Sequence, residues 1–253
     1  MRFAKLHGLG NDFLLLDLRG GGEPLAPHRA LELCDRHRGV GGDGVLTLLR
    51  GGRMLVQNAD GSVPEMCGNG ARCAALWIAT EGCTRPASAH VELLTDAGPR
   101  PCMVEAPEAR RGMVEVDMGI ARLEPAKRLS HWEAIPVSMG NPHRVIFVAA
   151  GASRLAAEAG PGMCQAENAN IEFVEQRGPQ RYAAFVWERG AGLTQACGTG
   201  ACAVAAAAVA RGDAPRDCDI VVDLPGGGLS LRVDGQGRVR MRGPAELVFL
   251  GEI

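Results

Sequence analysis

Aromatic residues make up only 4% of the 253 positions, although a 46% hydrophobic content still supplies a core. Disorder and a disulfide-stapled mini-scaffold are therefore excluded. Neither sign of charge dominates: 27 basic side chains are scattered among 29 acidic ones, for a net charge of −2. No basic stripe offers itself to phosphates, which argues against a nucleic-acid partner. Lysine is almost missing. Lys5 and Lys127 stand outside glycine-rich loops, so nothing points to a pyridoxal Schiff base or to any other cofactor. No C-x-x-C pair occurs, and a chain of this length needs no staples, which suits reduced thiols. The longest apolar run, Ala201 to Ala210, is half of the roughly 20 residues a membrane helix needs. The stretch from Met1 to Asp12 holds no signal-peptide pattern. The expectation is a cytoplasmic protein with no membrane partner.

What the chain does have is glycine, 35 residues, and cysteine, nine. Self-comparison organises both. Cys67-Gly68-Asn69-Gly70-Ala71 recurs 130 positions later as Cys197-Gly198-Thr199-Gly200-Ala201, and at the same shift Gly10-Asn11 meets Gly140-Asn141. Two matches in one register indicate duplication. The chain reads as two pseudo-symmetric halves, each presenting one cysteine at an equivalent place.

Local signals place both cysteines. Strand Met54 to Gln57 and a turn at Asn58-Ala59-Asp60-Gly61-Ser62 precede Cys67, and helix formers follow from Ala71 to Thr80. Strand Arg181 to Trp187 and the Gly190-Ala191-Gly192 turn precede Cys197, and an alanine-rich helix follows to Ala210, closed by Arg211-Gly212. Each cysteine thus falls beside a helix N-terminus, where unpaired N–H groups and the helix dipole lower a thiol pKa and attract a carboxylate. The alanine-rich helix has no amphipathic stripe and should be enclosed. Strand candidates at 3–6, 13–17, 45–49, 54–57, 90–94, 100–105 and 113–118 suggest sheets wrapped around a central helix. The expected class is α/β (α+β), with mostly antiparallel, barrel-like sheets in two domains, 1–112 plus 243–253 and 113–242.

Two symmetry-related thiols suit the removal of a proton from one face of a carbon and the return of one to the other. One must be thiolate and the other thiol, and reversal exchanges the roles. That is a two-base racemase or epimerase working without cofactor or metal on a small amino-acid substrate.

Five blocks then carry a resemblance. Lys5 through Phe13, Asn58 through Ser62, Glu65 through Arg72, Ser138-Met139-Gly140-Asn141-Pro142-His143, and Trp187-Glu188-Arg189-Gly190 through Ala196 to Ala201 resemble the diaminopimelate epimerase family, in its order. The resemblance implies conversion of LL- to meso-diaminopimelate, for lysine and cell-wall synthesis, with Cys67 and Cys197 as the two bases. It implies that Asn11, Asn58, Asn141, Asn170 and Arg189, helped by Glu188, bind the distal amino-acid end. Gly68-Asn69 and Gly198-Thr199 would hold the reacting carboxylate, and His143 and Glu188 would be polar partners of the thiols. A homodimer is implied as well. Chemistry agrees: an Arg fork with Asn amides suits a carboxylate, and Glu suits an ammonium. Gly44 departs from the Gln that some family members carry there.

Plainer readings stand beside these. Cys34, Cys73, Cys83, Cys102, Cys164, Cys202 and Cys218 read as small buried hydrophobes or tolerated surface thiols. Gly39-x-Gly41-x-x-Gly44 matches a dinucleotide fingerprint, but a strand follows it where a helix is required. Gly-Asn pairs favour turns on their own. A histidine- or proline-type racemase of the same architecture remains an alternative, as does a non-enzymatic thiol protein that binds zinc or senses redox state, although the Cys67 to Cys73 and Cys197 to Cys202 spacings are not those of zinc sites.

Overall fold

Leu9 and Gly10, at φ 58° and 81°, make the two-residue turn that joins β1 (Arg2–Gly8) to β2 (Asn11–Asp17). Both residues have positive φ, as the favoured hairpin turns require. The computed structural model describes residues 1–64 and 66–253; Glu65, part of the first cysteine block, lies outside the described residues.

The chain divides into two compact units, Met1–Val116 with Gly243–Ile253, and Asp117–Arg242. In the first, helix α1 (Pro27–Cys34) leads to β3 (Gly44–Leu48), parallel to β2, and β4 (Met54–Asn58) turns back antiparallel to β3. Helix α2 (Gly68–Ala79) follows, then the meander β5 (Ala87–Thr95), β6 (Gly98–Glu108) and β7 (Arg111–Ile120). Period 2 is clear in β5, where Val91, Leu93 and Thr95 are buried and Glu92 and Leu94 exposed.

The second unit continues with the short β8 (Arg122–Leu123) and β9 (Lys127–Leu129), then β10 (Trp132–Ser138) and β11 (Pro142–Phe147). Helices α3 (Ala152–Glu158) and α4 (Gly160–Glu167) precede β12 (Asn170–Gly178), parallel to β11, and β13 (Arg181–Glu188) returns antiparallel. After β14 (Gly192–Leu193) come α5 (Gly198–Arg211), β15 (Ile220–Leu224), β16 (Gly227–Val233) and β17 (Arg238–Glu252). The first residues of β17 pair with β16, and its later residues pair with β1 in the first unit, from Arg2 opposite Glu252 to His7 opposite Glu246.

The duplication is a duplication of pairings. β1–β2, antiparallel, corresponds to β10–β11; β2–β3, parallel, to β11–β12; β3–β4, antiparallel, to β12–β13. The parallel β13–β15 ladder is reduced in the first unit to one bridge, Arg53 to Leu94. That sheet therefore stops short of closing. Inside each unit one helix meets six strands: α2 touches β1 to β6, and α5 touches β10 to β13, β15 and β16. Every residue of α5 from Gly198 to Ala208 is buried, as expected of a helix with no polar face. Its alanines let strands approach from all sides.

Candidate active site

Cys67 and Cys197 are the N-cap residues of α2 and α5. Each holds extended backbone, and each sulfur accepts a hydrogen bond from the glycine N–H three residues on, Gly70 to Cys67 Sγ at 3.3 Å and Gly200 to Cys197 Sγ at 3.4 Å. A sulfur can replace the usual Ser or Asp oxygen at such a cap, because the orphan N–H groups of a first turn donate to any compact acceptor. The third position is tight for any side chain. A Cβ on Gly70 would stand 2.8 Å from Leu46 Cδ2 and 3.4 Å from Cys67 Sγ; one on Gly200 would stand 3.1 Å from Glu172 Oε1 and 3.2 Å from Cys197 Sγ.

Around Cys67 the polar groups form a chain. Buried Asn69 donates from Nδ2 to Asn11 Oδ1 at 2.9 Å, and Asn11 donates from its own Nδ2 to Asp43 Oδ2 at 2.7 Å. Since a carboxylate only accepts, Asp43 fixes which way the Asn11 amide points. Arg72, wholly buried, donates from Nη2 to Asn69 Oδ1 at 3.0 Å and from Nε to the Pro244 carbonyl at 3.1 Å. Asn58 ends β4 and donates to Ser62 Oγ at 2.9 Å, closing its own turn. No side chain fits at Gly44 with β4 in place, because a Cβ there would lie 2.6 Å from the Gln57 carbonyl oxygen.

The same corner rests on an ion cluster. Burial acts to raise the Asp12 carboxyl, but hydrogen bonds from Arg36 and Lys5 outweigh it and bring its pKa down to about 2 from 3.8. A depressed carboxylate stabilises the fold above its unfolded pKa, and that stability is lost as pH falls towards the folded value. Asp12 should thus contribute about 2 kcal/mol near neutrality, lost between about pH 4 and pH 2. Chemical denaturation of the wild type and Asp12→Asn should show a stability gap at pH 6 that narrows below about pH 4 and closes only as pH falls to about 2; a gap independent of pH would contradict this.

Cys197 sits in a different setting. It is 3% exposed, and burial, followed by the carboxyls of Glu188 and Glu172, pushes its thiol well above the ordinary 9. Its sulfur lies 3.6 Å from Thr199 Oγ1. Asn141 donates from Nδ2 to that hydroxyl at 3.2 Å, and Asn141 Oδ1 faces His143 Nε2 at 3.0 Å. His143 Nδ1 lies 2.6 Å from Glu172 Oε1, both side chains fully buried. Burial also raises the Glu188 carboxyl, against the lowering effect of hydrogen bonds from Thr194 and Cys197. The Thr194 hydroxyl donates to Glu188 Oε1.

Arg189 is tied to the same strand ends. Its backbone N–H donates to Asn170 Oδ1 at 2.9 Å, and its exposed guanidinium donates from Nη1 to Asn168 Oδ1 at 3.2 Å. Cys67, Gly68, Asn69 and Asn11 thus form one group in the first unit. In the second, Cys197, Gly198, Thr199, Asn141, His143 and Glu188 form another, with Asn170 and Arg189 adjoining. Among the described residues, the Asn58 side chain bonds within its own turn.

Sequence reasoning misses four participants. Glu172 shares the buried run of β12 with one other acid, Glu175, and that run is its only signal. Asp43 stands among glycines, Thr194 in a short turn, and Arg72 is a charged residue on an otherwise apolar helix face. All nine cysteines carry thiols, and no helix among the described residues is long and apolar enough to cross a membrane.

Two duplicated units, each wrapping a thiol-capped helix, define a fold shared with solved epimerase structures. A predicted epimerase from Pseudomonas aeruginosa superposes with a TM-score of 0.79 at 18% identity, over 100% of this chain and 98% of that one. A hydroxyproline epimerase from Agrobacterium vitis gives 0.78 at 14% identity, over 100% and 90%.

Sequence comparison is more specific, and by it the chain belongs to the diaminopimelate epimerase family, whose profile matches residues 3–124 and 135–248. It is 41% identical to the diaminopimelate epimerase of Synechococcus elongatus over 100% of this chain and 98% of that protein. It is 42% identical to that of Acidiphilium cryptum over 99% and 95%. The protein is accordingly an isomerase, an epimerase by class.

Proposed function

We propose that the protein interconverts LL- and meso-diaminopimelate, with Cys67 and Cys197 as base and acid on opposite faces of one Cα. The observation that carries this reading is the repeated cap: in a family of epimerases, each unit places one thiol at a helix N-terminus with its sulfur on a glycine N–H. Proton transfer from one face and to the other inverts the centre, and the carbanion charge passes into the substrate carboxylate. First-turn amides at Gly68-Asn69 and Gly198-Thr199 would bind that carboxylate, where preorganised donors lower the barrier most. The raised pKa of Cys197 suits a resting thiol, ready to give its proton. Glu188, beside that sulfur, takes the part of its polar partner, and His143 lies further along the same network.

At the far end, Arg189 and the asparagines Asn11, Asn58, Asn141 and Asn170 suit the second carboxylate, and Glu188 the second ammonium. The chain would need no added cofactor, since the two thiols supply both proton transfers. Purified protein, dialysed against chelator, should epimerise LL-diaminopimelate and leave L-histidine and L-proline unchanged. Turnover of L-histidine without turnover of LL-diaminopimelate would sink the assignment.

A further inference from the structure

The two capping turns are built on the same backbone but wired with opposite polarity. In the first unit the strand position facing Gly70 is Leu46, and the β2 residue two beyond Asn11 is Phe13, both buried. At the equivalent places the second unit has Glu172 and His143. Register makes the correspondence firm: Phe13 pairs with Gly44, two before Leu46, and His143 pairs with Asn170, two before Glu172. A leucine and a phenylalanine satisfy this fold, so packing does not require a buried acid there. The acid is expensive to keep. Glu172 Oε2 is buried with no hydrogen-bond partner among the described residues.

What the exchange achieves can be followed atom by atom. In the first unit Asp43 accepts from Asn11 Nδ2, so Asn11 presents its oxygen to Asn69. In the second, the amide is reversed: Asn141 turns its oxygen to His143 and its N–H to Thr199. An amide oxygen only accepts, so His143 Nε2 must carry a proton for this arrangement. The Thr199 hydroxyl, already accepting from Asn141, then has its own proton to give to the sulfur 3.6 Å away. Glu172 begins a run of contacts that ends on Cys197.

We propose that Glu172 is a positioning residue for epimerisation: through His143 Nδ1 it fixes the imidazole and the Asn141 amide, so that Thr199 donates to Cys197. This deepens the two-thiol reading above and rests on it. The titratable groups that face Glu172 are His143 from β11, Glu188 from β13, Cys197 at the head of α5 and Cys164 on α4. Of these, only His143 is within hydrogen-bond distance in the structure, which makes it the route of action.

The test is a cycle of variants assayed with LL-diaminopimelate. Glu172→Gln should lower kcat by about 10- to 100-fold with KM within about twofold, by analogy with the loss of outer partners of metal-bound histidines. His143→Phe should lower kcat at least as far. His143→Phe combined with Glu172→Leu, which installs the first unit's own pair, should melt within a few degrees of the wild type. It should lose no more activity than His143→Phe alone, because partners in one network do not add. A far-downfield imidazole N–H proton resonance should be present in the wild type and absent from both Glu172→Gln and His143→Phe.

An active wild type with unchanged kcat in Glu172→Gln would overturn the positioning role and leave the two-thiol reading standing. Independent, multiplying losses in the double variant would do the same. A wild type that does not epimerise LL-diaminopimelate would overturn both.

Discussion

Replacing either capping cysteine by alanine should lower kcat/KM for LL-diaminopimelate by roughly a thousandfold or more, because one face of the carbon then has neither proton donor nor acceptor. The two losses should be alike in both reaction directions, since each thiol is base in one direction and acid in the other. Cys73→Ala is the control. Cys73 is fully buried on α2, and burial pushes its thiol to about 12, so it has no ionised form to offer. Its replacement should cost stability on the order of 1–2 kcal/mol through lost packing and leave turnover nearly intact. Solvent deuterium adds a second reading of the same experiment. In the wild type, label should appear first in the product epimer, because the donor thiol is not the one that took the substrate proton. Equal labelling of recovered substrate at early times would indicate a single base and defeat the two-thiol assignment.

The second large effect concerns the end of the substrate that does not react. An analogue with a plain alkyl chain in place of the distal amino acid, L-2-aminoheptanoate, should be turned over with kcat/KM lower by about 10⁴-fold, because a site built to pair polar groups rejects a ligand that leaves them unpaired. Arg189→Ala should lower kcat/KM for LL-diaminopimelate by about 100-fold, the loss of a charge-assisted pair to a carboxylate. The same variant should change the already poor turnover of L-2-aminoheptanoate very little. If Arg189→Ala instead weakened both substrates equally, Arg189 would not hold the distal carboxylate. Arg189 is anchored through its backbone by Asn170, so Asn170→Ala should reproduce part of the loss without removing any charge.

Much of the fold is legible in the sequence because it is carried by local pattern. The 130-residue shift that aligns two cysteine loops also aligns helices Gly68–Ala79 and Gly198–Arg211, each opening directly after its cysteine. Strand candidates such as 54–57 and 113–118 fall within Met54–Asn58 and Arg111–Ile120. Helices α1, α3 and α4 give no comparable signal: each has eight residues or fewer, and α3 and α4 are weakly patterned. Polar groups inside the units are harder still. Glu172 looks like any acid near a strand, and its meaning depends on His143, 29 positions earlier, reached through a parallel pairing that no local pattern announces. Asp43 and Thr194 act by holding Asn11 and Glu188, and a residue that acts by holding another is visible only once the two are in contact.

The crossing of β17 between units bears on how the molecule comes into being. Residues 117–242 are continuous in the chain, whereas the first unit is completed by residues that follow them, with Leu247 and Phe249 seated opposite Leu6 and Lys5. During synthesis the second unit can mature while the first still shows an open sheet edge at β1, an edge that invites pairing with another nascent chain. Strand 243–252 therefore acts as a built-in fastener, and the unit that carries Cys67 is not completed until that strand has left the ribosome.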